Sequence, residues 1–88
     1  MNRRQIVDKM TLVIERNLNV RLPDQVSESD RLYEDLNIDS IMVLQLVVYL
    51  EEEFGVEVPE EAVDPAVFRT IGSLVTFIEQ LLDTRMQV

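Results

Sequence analysis

The sequence predicts an all-α protein, a small four-helix bundle with three longer helices, one short helix and a long loop between helices one and two. Three stretches carry apolar residues at spacings of three and four, which is typical of amphipathic helices. Pro23, Pro59 and Pro65 all lie between these stretches, where helices are expected to end. Because the 88 residues are 47% hydrophobic, residues 1–88 are expected to form one compact domain.

The first helix is predicted over residues 3–18, with Asn19 closing it ahead of Pro23. Its inward face is Ile6, Met10, Val13, Ile14 and Leu18. Residues 19–39 show no helical period and are rich in Asp, Ser, Asn and Pro, so we expect an ordered loop. The apolar residues that should pin this loop to the core are Val20, Leu22, Val26, Leu32, Leu36 and Ile38.

The second helix is predicted to start at Asp39-Ser40 and to run to Glu53, with Gly55 as its stop. The face expected in the core carries Leu46, Val47, Leu50 and Phe54. A second apolar stripe, which the core does not require, carries Ile41, Leu44 and Val48. An exposed apolar stripe is typical of a surface that meets a partner.

A short third helix is predicted to begin at Pro59-Glu60-Glu61, where proline and acids suit a first helical turn. Asp64-Pro65 should end it. Thr70 is expected to cap the last helix. The apolar face of that helix is Ile71, Leu74, Val75, Ile78, Leu81 and Leu82.

The composition argues against an enzyme. Cysteine, histidine and tryptophan are absent, which removes disulfides, thiolate nucleophiles, imidazole bases and the usual zinc ligands. We therefore predict no catalytic and no metal-binding residues. A net charge of −9 argues against binding to a nucleic-acid backbone. No apolar run reaches the ~20 residues of a membrane span and no signal peptide is apparent, so we expect a cytoplasmic protein. We also expect a monomer.

The charge is also uneven along the chain. Residues 30–61 hold ten carboxylates against the one cation Arg31, whereas the first 21 residues hold five cations. Although such an acidic stretch is often only a solvated surface, it indicates a face that docks basic partners.

The segment Asp35-Leu36-Asn37-Ile38-Asp39-Ser40-Ile41 places a serine where the long loop meets the apolar helix. A helix start offers free N–H groups and partial positive charge, so a phosphate ester on Ser40 would be favoured there. The plainer interpretation is that Ser40 is an N-cap whose oxygen accepts a backbone hydrogen bond.

With its surroundings, this segment resembles the phosphopantetheine-accepting carrier proteins of fatty-acid, polyketide and siderophore pathways. Their attachment signature is an Asp-Ser-Leu-like triplet that opens the second of four helices. The resemblance extends over Leu32-Tyr33-Glu34-Asp35-Leu36, Asp39-Ser40-Ile41, Glu51-Glu52-Glu53-Phe54-Gly55, Val58-Pro59-Glu60-Glu61 and Thr70-Ile71-Gly72-Ser73-Leu74.

The resemblance implies a carrier domain over residues 1–88 that is not an enzyme. It implies that a phosphopantetheinyl transferase attaches phosphopantetheine from coenzyme A to Ser40, with Asp39 assisting the docking of the transferase. The positions at which such proteins meet their enzymes are Ile41, Leu44, Val48, Glu51 and Glu52. The chain departs from the family at Asn37, where many members have glycine. It also departs at Met42, Val43 and Gln45, where fatty-acid carriers often have acids, which indicates partners that rely on apolar contact near Ser40.

Within the family, Met42 to Tyr49 and Val63-Asp64-Pro65 look similar to the freestanding aryl carriers of petrobactin-type siderophore biosynthesis. That likeness implies a dihydroxybenzoyl thioester, loaded by an adenylating enzyme and passed to a downstream condensing enzyme or synthetase. Three alternatives stay open. They are a fatty-acid or polyketide acyl carrier, an acidic helical adaptor that is never modified, and an enzyme that pairs the carboxylates of Asp35 and Asp39.

Overall fold

The computed structural model describes the backbone of residues 2–86 and the side chains of residues 2–83. Its elements are α1 (Arg3–Leu18), α2 (Ser40–Phe54), a 3-10 turn (Glu60–Ala62) and α3 (Ile71–Met86). Within the described residues, extended pairing is limited to an isolated antiparallel bridge between Arg31 and Thr70. The all-α prediction is therefore confirmed, and the arrangement is compatible with a small carrier-type bundle.

The predicted short helix is a single 3-10 turn, so the prediction of a fourth helix is not confirmed. Pro59 and Val63, which flank the turn, are both in extended conformations. Only Glu60–Ala62 remain between them, and the hydrogen bonds run from the Ala62 N–H to the Pro59 carbonyl and from the Val63 N–H to the Glu60 carbonyl. Three residues confined in this way cannot complete a turn of α-helix.

Helix α1 begins and ends with asparagine. Asn2 accepts the Gln5 N–H at 2.8 Å, and the Gln5 side chain accepts the Asn2 N–H at 3.0 Å. This reciprocal capping box satisfies two N–H groups at the helix start. At the other end, Asn19 takes the left-handed conformation with φ of 56°, as its position in the sequence predicts.

One hydrophobic core joins the helices and the loop, and α1 packs against both α2 and α3. The loop residues Leu32, Leu36 and Ile38 are buried in it, which confirms that they pin the loop.

On α2, Leu46, Leu50 and Phe54 are buried, but Val47 is only partly buried and the prediction that it belongs to the core is wrong. The buried residues of α2 lie four apart and form one narrow row, and Val47 lies beside it. Met42, Val43 and Tyr49 pack against the core from the edges.

Three backbone hydrogen bonds hold the long loop against the start of α3, and we call them the loop clasp. They run from the Leu32 N–H to the Arg69 carbonyl, from the Ile71 N–H to the Asp30 carbonyl, and from the Gly72 N–H to the Glu28 carbonyl. Arg3 of α1 supports the same region. Its guanidinium contacts Glu28 of the loop and Glu79 of α3, and the hydrogen bond from Arg3 lowers the pKa of Glu28. The loop is thus tied to two helices before it reaches α2.

We expect Gly72→Ala to weaken the loop clasp. A Cβ at this position would lie 3.0 Å from the Glu28 carbonyl oxygen and 3.2 Å from the Glu28 Cβ. The carbonyl already accepts the Gly72 N–H at 2.8 Å, so it cannot retreat without lengthening that bond. The free energy of unfolding should therefore fall by about 1 kcal/mol, although alanine is the better helix former.

Urea-induced unfolding measures this change, with Asp83→Ala as the control because Asp83 is an exposed residue of the same helix. Equal or greater stability for Gly72→Ala would show that the loop yields easily and that the clasp is not tight.

Candidate functional site

The start of α2 is capped by Asp39. This residue is extended, with φ of −87° and ψ of 178°, and its Oδ1 accepts the Met42 N–H at 2.9 Å. Ser40 is consequently the first residue of the helix and not its cap, so the interpretation of Ser40 as an N-cap is wrong. The carboxylate has taken the role that the serine hydroxyl would otherwise fill.

The hydroxyl of Ser40 is left free by this arrangement. Ser40 is exposed, and within residues 2–83 no side chain or backbone group forms a hydrogen bond with its hydroxyl. The amides of Ser40 and Ile41 belong to the first turn, where N–H groups have no acceptor inside the helix. A phosphate ester on Ser40 would lie beside these donors and the positive end of the helix dipole, so the residues present fit a phosphopantetheine group.

A left-handed turn at Asn37 brings the chain from the core to this site. Asn37 has φ of 58°, a conformation that asparagine adopts more readily than most residues other than glycine. The next residue, Ile38, is fully buried, and its N–H donates to the Leu32 carbonyl at 2.8 Å. Asn37 can therefore stand where many family members have glycine.

Ion pairs order the loop just before this turn. Arg31 pairs with Glu34 and with Asp35, and the Asp35 carboxylate also accepts the Arg31 backbone N–H at 2.7 Å. The hydrogen bonds from Arg31 hold the pKa of Asp35 below its ordinary value. A general acid needs a raised pKa, and Asp35 and Asp39 each serve a structural hydrogen bond, so the geometry gives no support to paired-carboxylate catalysis.

A groove of about 350 Å³ opens beside Ser40. It is lined by Tyr33, Ser40, Val43, Leu44, Val63, Asp64, Pro65 and Phe68, and we call it the Ser40 groove. Sequence reasoning identified neither Tyr33 nor Phe68 as part of the site, because they come from segments that only the fold brings together. Val63-Asp64-Pro65 stood out in the sequence, but only as part of a resemblance.

The predicted docking residues divide into two groups. Ile41, Leu44 and Val48 are 70%, 62% and 51% exposed and lie with Glu52 along one side of α2. Glu51 is half-buried, and its Oε2 accepts the Val58 N–H at 2.8 Å, which fastens the chain that leaves α2. The stripe and Glu52 are therefore available to a partner, whereas Glu51 has a structural role.

Residues 2–86 contain no helix with the length and apolarity needed to span a bilayer. Among the described side chains, no group of histidine, cysteine, aspartate and glutamate is arranged to hold a metal ion.

Because Asp39 and not Ser40 provides the cap, we expect the two alanine variants to differ in stability. Asp39→Ala should lower the free energy of unfolding by about 1 kcal/mol, whereas Ser40→Ala should change it by less than about 0.5 kcal/mol. Asp39→Asn is the matched control, since asparagine also caps helices. Urea titrations provide the comparison, and a loss in Ser40→Ala equal to that in Asp39→Ala would contradict a free hydroxyl.

Comparisons with known proteins show the family of the chain. The family model described as "Phosphopantetheine attachment site" matches residues 8–78. The chain is 38% identical over 81 residues to "Acyl carrier protein AsbD" of Bacillus anthracis. That alignment covers 92% of this chain and 89% of the relative. It is 39% identical over 74 residues to an acyl carrier protein of Wolinella succinogenes, in an alignment that covers 84% of this chain and 93% of the relative. It is 37% identical over 76 residues to an acyl carrier protein of Sulfurovum sp., in an alignment that covers 86% of this chain and 97% of the relative. The chain therefore belongs to the acyl carrier proteins, which hold a covalently attached phosphopantetheine group and are carriers rather than enzymes.

Proposed function

We propose that Ser40 is the attachment site and that the protein carries an aryl group, with dihydroxybenzoyl as the best candidate, in siderophore biosynthesis. The observation that carries the assignment of Ser40 is its exposed and unbonded hydroxyl at the capped start of α2. The hydroxyls of the other described serines form hydrogen bonds within the fold. Those of Ser27 and Ser29 are hydrogen-bonded to each other, and that of Ser73 donates to the Val67 carbonyl at 2.7 Å.

Ser40 acts as a substrate in the attachment reaction. Its Oγ forms a bond to the pantetheine-side phosphorus of coenzyme A, the pyrophosphate P–O bond breaks, and the nucleotide half leaves. The serine proton passes to a base of the phosphopantetheinyl transferase, because the chain has no histidine or cysteine and a carboxylate near neutral pH is a weak base for a hydroxyl group. When bound, phosphopantetheine supplies a thiol that holds the cargo as a thioester.

The domain contributes recognition. Ile41, Leu44 and Val48 offer apolar contact, and Glu52 with the neighbouring acids offers a negative field that steers a basic partner. We propose three classes of partner for this face: a phosphopantetheinyl transferase, an adenylating enzyme that loads the cargo, and a condensing enzyme or synthetase that receives it. Tethering raises the effective concentration of the cargo at each docked enzyme.

The aryl cargo is supported by residues 42–49 and 63–65, which are similar to the same segments of petrobactin-type aryl carriers. The absence of acids at Met42, Val43 and Gln45 separates the chain from many fatty-acid carriers. The second candidate function is a fatty-acid or polyketide acyl carrier. It is favoured by the similar identity, 39% and 37%, of the two relatives named only as acyl carrier proteins.

Intact-mass measurement tests the attachment site. After incubation with coenzyme A and a broad-specificity transferase, the wild type should gain the mass of one phosphopantetheinyl group, and Ser40→Ala should gain none. Ser73→Ala serves as a control with another serine removed. A Ser40→Ala protein that still gains the group would refute the assignment.

We expect charge reversal at the adjacent acids Glu51 and Glu52 to have different effects on docking and stability. Glu52→Lys should slow loading by a partner enzyme roughly fivefold at low salt, equivalent to about 1 kcal/mol, without loss of stability. Glu51→Lys should also destabilise the fold, since it removes the acceptor of the Val58 N–H. Loading rates across a salt series, with thermal unfolding of each variant, measure both effects. Glu15→Lys on α1 is the charge-matched control, and equal slowing in that variant would place the docking face elsewhere.

Competition tests the cargo. The phosphopantetheinylated protein should be loaded by an aryl-adenylating enzyme with dihydroxybenzoate far faster than by a malonyl transferase with malonyl coenzyme A. Mass spectrometry of the intact protein distinguishes the products. Efficient malonyl loading without aryl loading would favour the fatty-acid or polyketide candidate and leave the attachment site untouched.

A further inference from the structure

Lysine and arginine are used very unequally in this chain. Of its eight basic side chains, seven are arginines and Lys9 is the one lysine, while cysteine and histidine are absent from residues 1–88. An arginine guanidinium keeps its proton in proteins and does not act as a nucleophile. The chain thus carries positive charge with only one side-chain amine, and that amine is its one strong side-chain nucleophile.

This composition bears on any protein that holds a thioester. When a neutral amine attacks a thioester, a bond forms between nitrogen and the acyl carbon, the C–S bond breaks, and the amine proton passes to the departing sulfur. The amide that results no longer delivers its acyl group to an enzyme that requires a thioester. A tethered group is present at millimolar effective concentration to the surface within its reach, so the carrier's own amines are the nearest nucleophiles.

Lys9 lies at the end of α2 that is farthest from Ser40. Its Nζ is 5.2 Å from the centroid of the Phe54 ring, within the range of a cation–π contact. Ser40 and Phe54 are the first and last of the 15 residues of α2, so about 21 Å of helix separates them. The contact with Phe54 therefore keeps the amine distant from the attachment site along the helix axis.

Lys9 also lies on the side of α2 that faces the core. Phe54 belongs to the buried row of α2, and at 3.6 residues per turn this row is roughly opposite the exposed stripe. Ser40 is exposed, whereas Lys9 is half-buried. A group tethered to Ser40 would have to pass both along and around α2 to meet Nζ. The effective concentration of a tethered group falls toward zero at sites that its tether cannot span.

We infer that Lys9 is held where a thioester tethered to Ser40 cannot acylate it, so that the folded chain is inert toward its own cargo. This inference rests on the proposed attachment at Ser40 and is independent of which acyl or aryl group is carried. It gives the contact between Lys9 and Phe54 a chemical role besides packing. It also makes the position of the amine decisive, because a lysine placed close to Ser40 should react.

An acetyl group on the arm tests the inference. Gln45 is exposed on α2, about 7.5 Å along the helix from Ser40, so Gln45→Lys places an amine within reach. A transferase attaches the acetylated arm from acetyl coenzyme A, and the loaded proteins are then kept at pH 9, where an ordinary lysine begins to lose its proton. Hydroxylamine removes acetyl held as a thioester and leaves acetyl held as an amide, and intact mass measures the resistant fraction.

The variants should separate clearly. Gln45→Lys should form the resistant acetyl product about tenfold faster than the wild type, because its amine lies near the tether. Gln45→Arg is the matched control, which adds the same charge without an amine, and it should behave as the wild type does. Lys9→Arg removes the native amine and should also leave the wild-type result unchanged.

The outcomes separate this inference from the proposed function. Rapid formation of the product in the wild type, lost in Lys9→Arg and mapped to Lys9 by peptide mass spectrometry, would overturn the inference. Absence of the product from Gln45→Lys would also overturn it, because the position of the amine would then make no difference. Both results leave the attachment at Ser40 intact. Failure of the wild type to gain the arm, seen in its intact mass before the incubation at pH 9, would overturn the proposed function and this inference together.

Discussion

The hydrogen bond from the Met42 N–H to the Asp39 carboxylate determines the chemistry that α2 can present. A helix start needs acceptors for its free N–H groups, and serine is among the residues that commonly supply one. Here the preceding residue supplies it, so the serine hydroxyl remains unbonded at the protein surface. This contact therefore leaves the Ser40 hydroxyl exposed and accessible to another protein.

The rest of the fold holds this contact in place. The buried residues Leu36 and Ile38 fix the chain on both sides of the left-handed Asn37, and the loop clasp fixes the segment before them. Arg3 adds ionic contacts from α1 to Glu28 and Glu79, but both ends of these pairs are exposed to solvent, where ion pairs contribute little. Burial of the loop residues is thus the main reason that a loop of this length is ordered.

Local pattern was enough to predict most of the fold and part of the site. The bounds of α1, the left-handed closures at Asn19 and Gly55, and the exposed stripe Ile41, Leu44 and Val48 follow from spacing and residue type. Features that depend on competition between neighbours were not predicted correctly. Ser40 and Asp39 are both good caps, and only the backbone path decides between them. Val47 has the composition of a core residue but lies beside the buried row, and the acids around Pro59 suggested a helix that the flanking extended residues prevent.

Contacts between segments that lie far apart in the sequence could not be predicted from the sequence. The tie from Glu51 to the Val58 N–H and the joining of Tyr33 with Phe68 in one groove appear only in three dimensions. Leu44 illustrates the consequence, because it belongs both to the exposed stripe and to the wall of the Ser40 groove. A partner that covers the stripe would therefore contact the edge of the groove as well.

We propose that the cap at Asp39 presents Ser40 to the transferase, beyond any effect of the Asp39 charge. Asp39→Asn and Asp39→Ala lose the same charge, but only asparagine can still cap the helix. The most direct measurement is the rate of phosphopantetheine transfer to each variant, at equal protein concentration and under conditions where both are folded. We expect faster transfer to Asp39→Asn than to Asp39→Ala. Equal rates for the two variants would show that the cap has no part in presenting Ser40.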